Sequence, residues 1–107
     1  MCGIAGILNL RPGAPVLERD IARMLAPIAV RGPDGTGCYR GPDGSIGLGH
    51  ARLAIIDPEG GAQPIGNEDG SIQVVFNGEI FNYLELRAEL ERRGHRFRTR
   101  TDTEVLV

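Results

Sequence analysis

The seven residues Arg31-Gly32-Pro33-Asp34-Gly35-Thr36-Gly37 hold three glycines, a proline and an aspartate, and such a run demands a special backbone path. A phosphate cradle would need the lysine and following Ser/Thr of a P-loop, and both are missing. The better reading is a structural turn that aims Arg31 inward. Further breaks at Arg11-Pro12-Gly13-Ala14-Pro15, at Gly41-Pro42-Asp43-Gly44 and along residues 57–70 are turn or loop on their Pro and Gly content.

Between these breaks lie short apolar runs. Ile4, Ile7 and Leu8, with small Gly and Ala between them, read as a buried first strand. Ile21, Met24, Leu25 and Ile28 recur at helical spacing, with Glu18, Arg19, Asp20 and Arg23 opposite. This predicts a weakly capped amphipathic helix whose last turn Pro27 disturbs. Residues 38–40, the turn at Gly41–Gly44 and residues 45–56 read as a hairpin, its second strand marked by Ile46, Leu48, Leu53, Ile55 and Ile56. Gly47 and Gly49 within it signal close backbone approach. Residues 72–76 read as a strand ending at Asn77-Gly78. Asn82 is expected to cap a helix with Glu85 as its capping-box partner, and Gly94 to stop it. Residues 95–100 are expected to be a strand, and residues 101–107 a strand end, a cap and one helical turn. A helix that short cannot hold itself up, so the chain is expected to end inside a larger domain.

With 107 residues, 41% hydrophobic and 24% charged, the chain is one globular domain or part of one. A net charge of −2 gives no electrostatic case for nucleic-acid or membrane partners. The arginines at 92, 93, 96, 98 and 100 form the only basic cluster, and Glu85, Glu89 and Glu91 upstream favour a solvated helix end. Cys2 and Cys38 are too few for a disulfide scaffold, and His50 and His95 do not complete a zinc site with them. Free thiols in a reducing, cytoplasmic compartment are expected. The N-terminus lacks a basic n-region, and no segment approaches transmembrane length.

Three places carry chemistry. Cys2 follows an initiator methionine of the kind usually removed, which would set its thiol beside an α-amine of pKa roughly 7.7–8.0. Such an amine can take the thiol proton and activate it as a nucleophile; equally, Cys2 is an ordinary second residue of a first strand. His50 and Arg52, two apart, share a face on a regular strand. An arginine in an apolar strand needs an anion, which is a protein carboxylate in the commoner case or the carboxylate of a ligand. Asn77-Gly78 is a turn signal first. Its amide and glycine N–H also suit an oxyanion hole, with Glu79 adding negative charge beside it.

Taken in order, Cys2-Gly3-Ile4-Ala5-Gly6, Arg31-Gly32-Pro33-Asp34-Gly35, His50-Ala51-Arg52-Leu53-Ala54-Ile55, Gln63-Pro64-Ile65, Phe76-Asn77-Gly78-Glu79-Ile80-Phe81-Asn82 and Thr101-Asp102-Thr103-Glu104 form a specific series. In that series the chain closely resembles the N-terminal glutaminase domain of class II glutamine amidotransferases, over essentially its whole length. The Arg-Gly-Pro-Asp-Gly and His-Ala-Arg-Leu-Ala-Ile forms make it most similar to the glutamine-hydrolysing asparagine synthetase branch.

The resemblance implies an α+β fold, the N-terminal-nucleophile hydrolase αββα sandwich with mostly antiparallel sheets, incomplete here because the family's domain is longer. It implies that Cys2 attacks the side-chain amide of L-glutamine, with its own α-amine as base and acid. Asn77 and Gly78 would hold the oxyanion, Arg52 the substrate carboxylate, and Glu79 and Asp102 its ammonium. Backbone groups of Leu53, Ala54, Ile55, Ile56 and Gly78 would line the pocket, and Arg31 would support the cysteine. His50 is expected to be structural, and Cys38 to have no role. The implied partner is a C-terminal synthetase domain that receives ammonia; ATP and Mg belong to that domain, and no cofactor or metal to this one. A homodimer is compatible with the resemblance. A catalytically inactive interaction module, a hydrolase for another amide such as an acyl amino acid, and an amidotransferase with another acceptor are the alternatives.

Overall fold

The computed structural model describes residues 1–107. Strand β1 (Gly3–Leu8) is followed by helix α1 (Glu18–Leu25), a 3-10 segment (Ala26–Arg31) and the hairpin β2 (Gly35–Arg40) and β3 (Ile46–Arg52). Two short strands, β4 (Ile65–Gly66) and β5 (Gln73–Val74), precede helix α2 (Tyr83–Arg92) and a final 3-10 turn (Thr103–Leu106). Strand β3 is the centre of an antiparallel sheet in the order β1-β3-β2, and β4-β5 form a separate antiparallel ribbon. The arrangement is α+β with antiparallel sheets, and neither sheet closes.

Alternation along β3 turns Gly47, Gly49 and Ala51 toward α1, where Val16, Ile21 and Leu25 form the core with Ala51. A side chain at Gly47 or Gly49 would come within 2.8 Å of Ile21. The two glycines therefore let the helix seat directly on the strand backbone, as their position in an apolar strand suggested. Burying Ile21 there contributes roughly 1.5–3 kcal/mol. The cap of α1 is weak: Asp20 Oδ2 accepts the Leu17 N–H at 3.2 Å, but Leu17 has no side chain to return the bond. Pro27 lacks an N–H and cannot continue an α-helix, so the chain tightens into the 3-10 segment. Ile28 is carried by that segment and still packs against Gly3.

The structure corrects several expected boundaries. Strand β2 begins at Gly35, inside the glycine-rich run. Strand β3 ends at Arg52, so residues 53–56 are loop. There Pro33 bridges Arg52 in parallel, the Asp34 N–H takes the Arg52 carbonyl at 3.0 Å, and Asp34 Oδ2 accepts the Ala54 N–H at 2.8 Å. The strand expected over 72–76 is reduced to Gln73–Val74, because the Phe76 N–H is donated to Gln63 Oε1 at 2.6 Å. Residues 95–100 are not a strand. Their N–H groups go to carboxylates instead: Arg96 to Glu68, Arg98 and Thr99 to Glu104, and Arg100 to Asp57. Asn82 caps α2 only through its backbone carbonyl, which accepts from Glu85 and Leu86, and no capping box forms. Gly94 does end that helix, at φ 100°. Arg31 is exposed rather than aimed inward.

The face of the β1-β3-β2 sheet opposite α1 is largely uncovered, with Leu8 65% exposed and Ile4 and Ile46 also open. Helix α2 buries no residue. No helix is long and apolar enough to cross a membrane.

Candidate active site

The register sets Gly3 opposite Ala51, so Cys2 stands one step further along β1, beside Arg52. The half-buried Cys2 Sγ accepts the Leu53 N–H at 3.3 Å and lies 3.6 Å from the Leu53 carbonyl. Arg31 Nε donates to the Cys2 carbonyl at 3.3 Å. Gly32 makes this possible, since a Cβ there would sit 2.2 Å from the Ala51 carbonyl carbon and oxygen. The glycine-rich run thus crosses the end of β3 at backbone contact and brings Arg31 alongside the cysteine.

Arg52 has no acid partner. Its guanidinium donates to three backbone carbonyls, Nη1 to Pro58 at 2.7 Å and Nη2 to Asp57 at 2.6 Å and Ile56 at 3.3 Å. The ion pairs of the molecule lie elsewhere, at Arg87–Glu91, Arg93–Glu89 and His95–Glu68. The internal salt bridge, the commoner outcome for a strand arginine, does not form. Carbonyls take three of its five N–H donors and leave the other two, with its charge, available to an anion.

Asp102 is the converse case. It is 4% exposed, accepts the Ile80 N–H at 2.8 Å and the Thr101 and Thr103 hydroxyls at 3.2 and 3.4 Å, and has no cation. Gln63 ties the same segment to the other side of the turn, donating to Thr103 Oγ1 at 3.2 Å while accepting from Phe76. The Asn77-Gly78-Glu79 turn is therefore pinned at both flanks, by Gln63 before it and Asp102 after it. Within the chain, the Gly78 N–H and the Asn77 side-chain amide make no hydrogen bond.

These groups meet around one cavity of about 490 Å³, a size suited to a small ligand. Of the residues singled out in the sequence, Cys2, Arg52, Leu53, Ile55, Ile56, Asn77, Gly78, Glu79 and Asp102 line it. Ala54 does not, its N–H being held by Asp34; Arg31 does not either, and meets Cys2 from outside. A cation, two carboxylates and apolar walls suit a small zwitterion, and a thiol sharing the cavity with unpaired N–H donors suits acyl transfer.

Sequence reasoning gave no role to Gln63, Asp34 or Glu104. Gln63 and Asp34 fix the cavity's loops, and buried Glu104 accepts the Arg98 N–H, the Thr99 N–H and the Thr99 hydroxyl. His50 also lines the cavity, on the Arg52 face of β3. It is completely buried; neither ring nitrogen has a partner at full hydrogen-bond geometry, and the Phe76 backbone lies close enough to act on the ring. Burial pushes its pKa down, the Phe76 backbone opposes this, and the Arg52 charge adds to it. No three His, Cys, Asp or Glu side chains converge to hold a metal ion.

Residues 1–107 match the family model of the glutamine amidotransferase domain, and the chain belongs to that family. It is similar along its full length to glutamine-hydrolysing asparagine synthetase 1 of Bacillus subtilis (strain 168), 46% identical over 109 residues, covering 17% of that protein. The corresponding synthetase 1 of Arabidopsis thaliana is 42% identical over 107 residues, of which 18% is covered, and synthetase 2 of Bacillus subtilis 45% over 109, of which 14% is covered. The chain thus spans less than a fifth of the length of these curated relatives, which are enzymes of the glutamine amidotransferase class.

Proposed function

We propose that residues 1–107 are the N-terminal part of the glutaminase domain of an asparagine synthetase, hydrolysing L-glutamine to glutamate and ammonia through a thioester on Cys2. One observation carries this reading. A thiol, an arginine without an acid, a buried aspartate without a cation and an unpaired glycine N–H border a single cavity. A bound amino acid would complete both charges, its carboxylate on Arg52 and its ammonium on Asp102 and Glu79.

In the form lacking Met1, the α-amine of Cys2 takes the thiol proton, and Sγ attacks the amide carbon. The oxyanion is held by the Asn77 side-chain amide and the Gly78 N–H; losing one such donor typically costs about 10²–10³ in rate. The amine returns the proton to the leaving nitrogen, ammonia departs, and water hydrolyses the thioester. The Leu53 N–H steadies the sulfur, and Arg31 holds the Cys2 carbonyl. None of these steps calls on a metal or cofactor.

Ammonia would pass to a C-terminal synthetase domain, which would use ATP and Mg to form asparagine from aspartate in the cytoplasm. The remainder of the glutaminase domain completes the N-terminal-nucleophile αββα sandwich, and the open row of Ile4, Leu8 and Ile46 supports this by offering a face for the second sheet.

Cys2→Ala in the full-length protein tests the reading. Glutamine-dependent asparagine synthesis should vanish while ammonia-dependent synthesis survives. Glutamine hydrolysis that persists in the variant would refute it.

A further inference from the structure

The reading above leaves one polar group of glutamine without a partner, the amide nitrogen, and one polar side chain of the cavity without a partner, His50. We propose that His50 is a further substrate-binding residue, its imidazole accepting a hydrogen bond from the amide nitrogen of glutamine positioned over Cys2. The inference rests on the glutaminase reading and adds a contact to it.

Placement comes first. His50 pairs with Ile4 across β1, and Cys2 falls beside Arg52, so the ring and the thiol are diagonal neighbours on one face of the sheet. Diagonal positions on a strand pair lie roughly 7–8 Å apart, a span that one small group can bridge. Across β2 the paired residue is Gly37, where the Gln63 carbonyl and Pro64 fill the space a side chain would take.

The state of the ring comes second. Buried polar atoms are nearly always paired; the Phe76 backbone beside the ring can engage one nitrogen, and the other, on a fully buried histidine that lines a cavity, points to a partner inside that cavity. Burial also favours the neutral imidazole, which keeps one lone pair as an acceptor. A neutral acceptor matches an amide NH₂ and would not compete with Arg52 for the carboxylate.

Third, other polar groups of the cavity are engaged, Glu79 by the substrate ammonium and Asn77 by the oxyanion in the reading above. Gln63 Oε1 is occupied by the Phe76 N–H. The Thr101 and Thr103 hydroxyls are turned toward Asp102. The Asp102 carboxylate itself accepts three hydrogen bonds.

Glutamate γ-methyl ester separates this contact from the rest of the site. It carries the same carboxylate and ammonium, forms the same Cys2 thioester and releases methanol, but it has a methoxy oxygen where glutamine has NH₂. In the full-length protein, His50→Phe should lower kcat/KM for glutamine about tenfold or more while leaving the ester within roughly threefold of wild type. His50→Asn, which restores an acceptor, should recover part of the loss. Equal losses on both substrates would make the ring a wall of the cavity and overturn the proposal, as would no loss on either.

Should His50→Phe fail to fold, the Cys2→Ala protein supplies the readout. The imidazole ¹⁵N resonances of His50 should move on saturation with glutamine and stay in place with the ester; resonances that ignore glutamine would overturn the contact. Wild-type protein inert toward both substrates would instead sink the glutaminase reading itself.

Discussion

Residues 2–52 and residues 57–107 are held by different forces. The first region is a backbone ladder of β1, β3 and β2 with α1 seated on it through Val16, Ile21 and Leu25. The second has little regular sheet, and its buried residues include Thr101, Asp102, Thr103 and Glu104. There, side chains clamp backbone N–H groups: Asp57 holds Gly60 and Arg100, Glu68 holds Arg96, Asp102 holds Ile80, and Glu104 holds Arg98 and Thr99. The cavity lies between the two. Cys2, His50 and Arg52 come from the packed wall; the Asn77-Gly78-Glu79 turn and Asp102 come from the clamped one. The difference teaches where each wall is vulnerable: one to lost apolar volume, the other to a lost charge or acceptor.

The largest effect belongs to the packed wall. Ile21→Ala removes the side chain that fills the space over Gly47 and Gly49 and should cost about 2–5 kcal/mol in urea unfolding. On the clamped wall, Glu104→Ala strands the Arg98 and Thr99 N–H groups and the Thr99 hydroxyl, with an expected loss of about 1–3 kcal/mol. That loss should be accompanied by faster amide exchange at residues 98–104 than in β3; uniform exchange would break the distinction between the regions.

A smaller effect sharpens it by pH. His50 has a folded pKa below its ordinary value near 6.5, so between those two values the unfolded chain binds the proton and the folded one does not. Stability contributed by neutral His50 is therefore complete above about pH 6.5 and is lost as pH falls through the folded pKa. Thermal unfolding of wild type should lose more between about pH 7.5 and 5.5 than that of His50→Asn. Identical slopes would contradict the burial of the ring. The smallest effect is at the C-terminal cap of α2, where Arg93 pairs with Glu89 four residues back and is exposed. Arg93→Ala should change stability by no more than about 0.5 kcal/mol.

The same contrast explains what the sequence disclosed. Strand β1, helix α1 and the β2–β3 hairpin follow from apolar spacing and Pro-Gly punctuation, and Gly94 marks the end of α2. Periodicity reports a backbone that pairs with itself or packs on one face, which is what those elements do. Residues 95–100 misled because their partners are carboxylates distant in sequence, Asp57 for Arg100 and Glu68 for Arg96, and such pairs leave no repeat. Residues 53–56 read as strand because they are apolar, yet Asp34 takes the Ala54 N–H and turns them into a cavity wall. The candidate site was legible only through the order of its motifs. What Arg52 would bind could not be read from its own strand, since its donors end on backbone carbonyls of residues 56–58 and form no ion pair with the acidic side chains of that loop.

The central claim concerns one sulfur. Intact-mass spectrometry and peptide mapping after treatment with a chloromethyl-ketone analogue of glutamine test it directly. The account expects a chain without Met1 carrying a single adduct on Cys2. It expects no adduct on Cys38, whose thiol pKa is pushed up by partial burial and by the neighbouring Glu18 carboxylate. A retained methionine, or label on Cys38 with Cys2 untouched, would contradict it.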